Sequence, residues 1–269
     1  SLNVIESPEV ISAYTEAMSA INPQILNKPD DARYLNARKN IDAVFKSSGA
    51  ADCQSLENIF TSGVDANPAD TALLRKVSTL LSEAGCKDSE LYFKVTTLLY
   101  DFERTSASAT QLAEMNMARK KYTEAEKYYT EAIGLETDPL TKSSLLTKLA
   151  TLELTSDNKP AARDFAKTAY SLDSKNGNAL FIIAESYAGA RIGESFDNQT
   201  VYWVVVDYLA RARNTDPTLK EQADERIAIY SRLFPTKEES FFRSLVDEGA
   251  SYQVGGWVNE TTTIRFRKE

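Results

Sequence analysis

Between Leu112 and Pro139 the sequence reads LAEMNMARKKYTEAEKYYTEAIGLETDP, and the spacing of its small and apolar residues describes two short helices joined by a tight turn. Leu112, Ala113 and Asn116 share one helical face. Tyr122, Ala125, Tyr129, Ala132 and Leu135 supply a facing stripe at i, i+3, i+4 and i+7 spacing. Lys120 and Lys121 mark the turn. Two helix axes approach closely only where no bulky side chain separates them at the crossing, and Ala125 and Ala132 meet that condition.

A second copy follows at a constant offset. Ala113, Ala125 and Ala132 return as Ala150, Ala162 and Ala169, and Leu112 and Leu135 as Leu149 and Leu172, each shifted by 37 positions. A third copy is stretched: Ile183, Ala184 and Tyr187 stand in its first helix, and Ala212 in a second helix expected over 201–214, which ends in Thr215, Asp216 and Pro217. Between these helices a loop is expected from Gly189 to Gln199. The order of a Leu-small pair, an aromatic after the turn, Ala, aromatic and Ala at fixed steps, then Asp-Pro resembles the tetratricopeptide repeat. That resemblance implies an all-α fold, a tetratricopeptide-like right-handed helical solenoid.

Length alone allows 269 residues to form one or two domains. Repeat units bury their faces only against neighbours, so one continuous array over 1–250 is expected, with the clearest repeats over 106–217 and degenerate helical hairpins over 7–104. Hydrophobic residues make up 42% of the chain, enough for such a core. No apolar run approaches the ~18 residues of a spanning helix, and no signal peptide opens the chain. Ser1 is not a methionine, so the residues read as a trimmed piece of a longer precursor. The net charge of −8 argues against a nucleic-acid partner, which needs a clustered basic surface. Histidine is absent, which removes the commonest general base and metal ligand together, and two cysteines cannot build a four-thiolate zinc site. No metal or other cofactor is expected.

In the first hundred residues, Ser7 and Pro8 open a helix with Val10, Tyr14, Met18 and Ile21 inward. Pro23 and Pro29 bracket a connection, and Asp30 or Asp31 caps a helix with Tyr34, Ile41, Val44 and Phe45 inward, stopped by Gly49. Asp52 caps a helix carrying Leu56, Ile59 and Phe60 to Gly63, and Asp70 caps another carrying Leu73, Leu74, Val77, Leu80, Leu81 and Ala84 to Gly85. Cys53 starts the first and Cys86 follows the second, so an antiparallel hairpin brings the two thiols to one end. A disulfide and a pair of buried free thiols both fit that placement. Leu91, Val95, Leu98, Leu99 and Phe102 give one more amphipathic helix.

Beyond Pro217, residues 219–233 read as a helix with Ala223, Ile227 and Tyr230 inward, broken by Pro235. Thr236 and Glu239 make a capping box for a short helix through Phe241, Phe242 and Leu245, ended by Gly249. The period then changes. Aromatic and β-branched residues from Tyr252 to Phe266 flank Gly255-Gly256, which indicates a short extended or β-hairpin tail over 251–269, laid back over the last helices with Trp257 covering their open apolar face.

The stretch FFRSLVDEGASYQVGGWVNETTTIRF, Phe241 to Phe266, resembles the C-terminal signature of an uncharacterised family of exported bacterial tetratricopeptide-repeat proteins. The helix from Asp31 to Phe45, VYWVVVDY from Val201 to Tyr208, and the pair Cys53 and Cys86 also suit that family. The resemblance implies export to the bacterial periplasm or cell envelope and no known catalysis. With export, it favours a disulfide between Cys53 and Cys86.

No phosphate loop, nucleophile elbow or dinucleotide fingerprint is present. Glu114 and Glu185 are a carboxylate pair such as glycoside hydrolysis uses, but no other catalytic element accompanies them, and a solvated acidic face is the preferred reading. Binding is the better expectation. In tetratricopeptide arrays the first helix of each repeat lines a concave groove, which by that resemblance holds Thr110, Glu114, Met117, Thr147, Thr151, Leu154, Phe181 and Glu185, facing a protein or peptide partner. The chaperone-binding subclass clamps a C-terminal carboxylate with basic and Asn side chains; Thr and Glu here disfavour an acidic tail. An alternative is a glycan-binding module in which Tyr202, Trp203, Tyr252 and Trp257 stack on sugar rings.

Overall fold

The structure, a computed structural model, describes residues 7–49 and 52–268. The Ser7 side chain, expected to cap the first helix, and Ser1 lie outside the described residues. Thirteen α-helices, one 3-10 turn and a two-stranded antiparallel sheet are found among them, an all-α helical-repeat fold with a short β tail. The chain divides into two compact units, Ser1–Ser108 and Ala109–Glu269, where the sequence suggests one array and a separate tail. The break falls where weak hairpins give way to clear repeats, and the tail belongs to the second unit. At the junction, the Thr105 and Ser108 hydroxyls each accept the other residue's backbone N–H, at 3.1 and 3.0 Å.

The first unit holds α1 (Ser7–Asn27), α2 (Ala32–Ser47), α3 (Cys53–Ala66), α4 (Thr71–Glu83) and α5 (Glu90–Phe102). Side-chain oxygens of Asp31, Asp52, Asp70 and Ser89 accept N–H groups in the first turns of α2 to α5, where the helix leaves donors unpaired. Leu56, Val64, Leu74, Val77, Leu81 and Val95 are completely buried between α3, α4 and α5. Cys53 and Cys86 are joined by a disulfide, with Cα atoms 5.5 Å apart, tying the start of α3 to the end of α4. On α1 and α2, Tyr14 and Phe45 stack with ring centroids 4.0 Å apart. The Tyr14 hydroxyl sits between Asp42 and Glu83, and Arg38 meets Glu83 at 2.9 Å, linking this hairpin to α4.

Several local expectations are corrected here. Pro23 lies inside α1, because the chain closes another turn beyond it, with the Lys28 N–H donating to the Gln24 carbonyl at 2.9 Å. Helix α3 runs past Gly63 to Ala66. Val44 is exposed rather than inward, since α2 packs on α1 through Phe45 and leaves the Val44 side open. Phe102, at the last residue of α5, is also exposed, while Tyr92 and Tyr100 take the buried positions.

The second unit stacks α6 (Ser106–Ala118) from Ala109 onward, α7 (Tyr122–Leu135), α8 (Pro139–Thr155), α9 (Lys159–Leu172), α10 (Gly177–Tyr187) and α11 (Ser195–Thr215). A 3-10 turn (Pro217–Leu219), α12 (Lys220–Ser231) and the short α13 (Lys237–Phe241) follow. All six repeat alanines, 113, 125, 132, 150, 162 and 169, have no exposed surface. Helix α11 begins at Ser195, six residues earlier than the sequence suggests, so the loop shortens to 189–194. The side chains of Asp197 and Asn198 reach back to the Glu194 and Ile192 N–H groups at 3.1 and 2.7 Å and start the helix there. Leu135 and Leu172, read as inward, are exposed in the last turns of α7 and α9, beyond the helix crossings. Helix α12 ends at Ser231, before Pro235, and α13 stops at Phe241, leaving Phe241 and Phe242 in solvent.

Strands β1 (Ser251–Val254) and β2 (Glu260–Thr263) pair antiparallel with Ser251 opposite Thr263 and Val254 opposite Glu260. Their turn uses Gly256 at φ +62°, where a Cβ would also meet Ile192 at 2.8 Å, so glycine is required twice over. Val254, Val258, Thr262 and Ile264 face inward. The hairpin lies across α9, α10 and α11 of its own unit. Trp203 Nε1 donates to the Arg265 carbonyl at 2.7 Å, and the Arg163 guanidinium donates to the Trp257 carbonyl at 2.6 Å.

Candidate functional site

The eight residues placed in a groove by sequence come from α6, α8 and α10 of the second unit, and none is buried. Their partners one helical step away are: Leu112, Ala113, Leu149, Ala150, Ile183 and Ala184 are closed inside the unit. Each helix therefore turns one side to the core and the adjacent side to solvent. Thr110, Glu114 and Met117 repeat as Thr147, Thr151 and Leu154 at the same step of 37, and Phe181 and Glu185 continue the row.

Side-chain contacts stitch these helices to one another. Lys148 on α8 pairs with Glu114 on α6. Asn176, which caps α10, donates to the Thr147 hydroxyl at 2.8 Å. Glu185 on α10 accepts from the Tyr230 hydroxyl of α12 at 3.0 Å, and Arg226 stands 3.6 Å from its other oxygen, an ion pair without a hydrogen bond. Lys148, Arg226 and Asn176 are not singled out by the sequence, and Tyr230 is read there only as an inward residue of its helix. Lys148 could have been found, since it lies 37 positions after Gln111, beside the predicted row.

The face is electrically balanced and rich in hydroxyls. Its two carboxylates each meet a cation, so the pair noted as a hydrolase-like arrangement is engaged in cross-helix contacts. Thr147, Thr151 and Thr155 each donate to the carbonyl four residues earlier, at 2.9, 2.9 and 2.8 Å; the Thr147 oxygen accepts from Asn176, and those of Thr151 and Thr155 are left able to accept. Burial, followed by the charge and hydrogen bond of Glu185, pushes the Tyr230 phenol up to about 12. Burial, helped by Glu114, does the same for Tyr129.

These contacts and the repeated turns decide the architecture. The second unit is an all-α repeat of paired helices. No protein-family model matches this chain, and no curated protein matches it. Among solved structures, a crystal structure of MamA is 14% identical, with a TM-score of 0.48, and the match covers 68% of this chain and 96% of that one. A second crystal structure of MamA is 13% identical, with a TM-score of 0.47 and coverage of 80% and 96%. Both scores lie below one half, so the repeat assignment rests on the buried alanines and turns themselves.

The four aromatics considered for glycan contact are drawn into the structure. Trp203 is completely buried, so no ring face is open to a sugar; the tail that covers it is remote along the chain. Tyr252 meets the Trp203 ring edge-on at 5.4 Å, and Tyr202 stacks on Tyr230 at 5.6 Å. Trp257 is half-buried against Tyr187, with the Arg163 guanidinium 5.3 Å from its ring centroid. Among the described residues, no helix is long and apolar enough to cross a membrane.

A second polar cluster holds the tail. One Glu260 oxygen accepts from Lys167 at 2.6 Å and from Tyr187 and Tyr208 at 2.9 Å. Burial opposes the Glu260 charge, but these hydrogen bonds outweigh it and hold the carboxyl below its ordinary value. Burial, then the Glu260 charge, pushes Tyr208 up to about 12 and Tyr187 higher still.

Proposed function

We propose that this protein is an interaction scaffold of the bacterial cell envelope, holding a protein or peptide partner along the face of α6, α8 and α10 and performing no catalysis. The observation that carries this reading is the row of eight accessible residues repeated across successive helices whose adjacent sides are closed. A periodic face suits an extended segment, which presents a similar backbone to each helix in turn. The Thr hydroxyls offer acceptors for its N–H groups, and Met117, Leu154 and Phe181 offer apolar contact. Balanced charge favours a neutral or mixed segment over an acidic tail.

The Cys53–Cys86 bridge supports an oxidising compartment, where disulfides persist, and the resemblance of the tail to exported repeat proteins points the same way. Capture from envelope extract tests the reading. The wild type and a Thr168→Arg variant, altered on the α9 surface, are expected to retain the same protein. Thr151→Arg and Phe181→Glu are expected to lose it. Equal retention by all four, or retention by none, refutes the assignment of this face.

A further inference from the structure

Near the end of α8, Glu153 is 3% exposed. Its carboxyl takes a hydrogen bond from the Asn158 amide at 2.6 Å, across the turn into α9, and no cation among the described residues pairs with it. An ionised carboxyl enclosed with only a neutral donor is costly. The preceding repeat shows what suits the place. Asn116, 37 positions earlier and equally near the end of its helix, is 1% exposed, and its amide donates to the Leu112 carbonyl at 2.8 Å. By the same step the Leu149 carbonyl is the counterpart acceptor for Glu153. The backbones of the two turns repeat as well, with Lys121 donating to the Asn116 carbonyl at 2.9 Å and Asn158 to the Glu153 carbonyl at 2.8 Å. An ionised carboxyl has no proton to offer a carbonyl, whereas a protonated one does.

We propose that Glu153 is a proton-operated latch on the α8–α9 turn: in acid its carboxyl takes a proton from solvent and donates it to the Leu149 carbonyl, as Asn116 does in the preceding repeat, while keeping the Asn158 amide. The charged groups around it favour the neutral form. Glu126 on α7 repels the ionised carboxyl, and the Tyr129 phenol of that helix is pushed up to about 12 and stays neutral. The cations of α9 are engaged elsewhere: Lys159 with the Ala188 carbonyl, Arg163 with the Trp257 carbonyl and Asp164, Lys167 with Glu260. Glu114 on α6 pairs with Lys148, and Glu185 on α10 is held by Tyr230 and Arg226. Burial raises the Glu153 carboxyl above its ordinary value of 4.5; the Asn158 hydrogen bond opposes this and Glu126 adds to it. The latch therefore contributes fully below that ordinary value and is lost as the pH rises through the folded one, the reverse of a carboxyl held by cations. Leu154, the next residue, lies on the proposed binding face, but the latch is independent of that reading.

Carbon NMR of the full chain, with the Glu153 carboxyl assigned through its own backbone, gives the first test. Its titration midpoint is expected above 4.5, and a midpoint at or below that value would overturn the proposal. The second test compares hydrogen exchange at the Asn158 amide in the wild type and in Glu153→Gln, whose amide can donate to Leu149 at every pH. The variant is expected to be better protected than the wild type at about pH 7.5, with the ratio falling toward one at about pH 4. Loss of the Glu260 contacts in acid acts on both proteins and leaves the ratio unchanged. A ratio that does not vary with pH, or one that grows in acid, would equally overturn the latch. Should Glu153→Gln fail to fold, the wild-type titration decides alone.

Discussion

Lys120 and Asp157, 37 residues apart in the sequence, occupy the same left-handed backbone conformation, with φ of 57° and 59°. Each follows a first repeat helix, and the N–H of the next residue reaches back five positions, Lys121 to the Asn116 carbonyl at 2.9 Å and Asn158 to the Glu153 carbonyl at 2.8 Å. The repeat is thus periodic in its backbone hydrogen bonds as well as in its alanines. Such a helix stop usually employs glycine, because a Cβ clashes at positive φ.

Replacing Lys120 or Asp157 by valine should therefore lower stability by about 1–2 kcal/mol, since a β-branched side chain tolerates this conformation worst. Glycine at either position should be neutral or slightly stabilising. Urea unfolding of the four variants measures the difference, and equal stability of the valine and glycine forms would count against the turn geometry.

Ala125 and Ala162 are closed off from solvent at helix crossings. Leucine at either site should cost ~1–3 kcal/mol through overpacking. Ala118, exposed at the end of α6, serves as the control, and its leucine variant should unfold with the wild type.

The Cys53–Cys86 bridge closes a loop with a sequence separation of 33. Chain-entropy arguments assign such a crosslink about 3–4 kcal/mol, exerted mainly on the unfolded state. The double serine variant should lose that amount in the first unit, as read by unfolding under oxidising conditions. Labelling the unfolded, unreduced wild type should detect no free thiol.

Glu260 links the tail to α9, α10 and α11 through Lys167, Tyr187 and Tyr208. Its carboxyl titrates below the ordinary value of 4.5 in the folded chain, so its contribution is complete above that pH and is lost as the pH falls through the folded value. Tryptophan fluorescence, reporting Trp257 and Trp203, should shift on acidification below about pH 4.5. Glu260→Gln should lower stability at neutral pH by about 1–2 kcal/mol, allowing for partial solvent screening, and should flatten that acid transition.

The alanine step of 37, the capping residues Asp52 and Asp70, a cap at Asp30 or Asp31 that the structure assigns to Asp31, and the Thr236–Glu239 capping box were legible because each is a local rule: spacing, or a side chain within three residues of the N–H it satisfies. Of the eight residues of the proposed face, Thr110, Glu114, Met117, Thr147, Thr151 and Leu154 follow the same step of 37, whereas Phe181 and Glu185 were placed by the resemblance alone. What they touch could not be read in either way. Arg226 and Tyr230 approach Glu185 from a helix more than 40 positions away, and no periodicity within one repeat encodes that meeting.

Burial was the point at which local reading failed. Val44, Phe102 and Leu172 sit on apolar stripes yet face solvent, because a stripe is buried only as far as a neighbouring element extends to cover it. Trp203 is enclosed by the tail some sixty positions later, where the carbonyl of Arg265, just beyond β2, takes its N–H. The sequence by itself determined the helices, their repeat, the turns and the two-stranded tail, since these follow from side-chain period and hydrogen bonds between near neighbours. Only the tertiary structure decided the division into two units, the enclosure of Trp203, and the exposure of Val44, Phe241 and Phe242, since these depend on which surfaces distant segments reach.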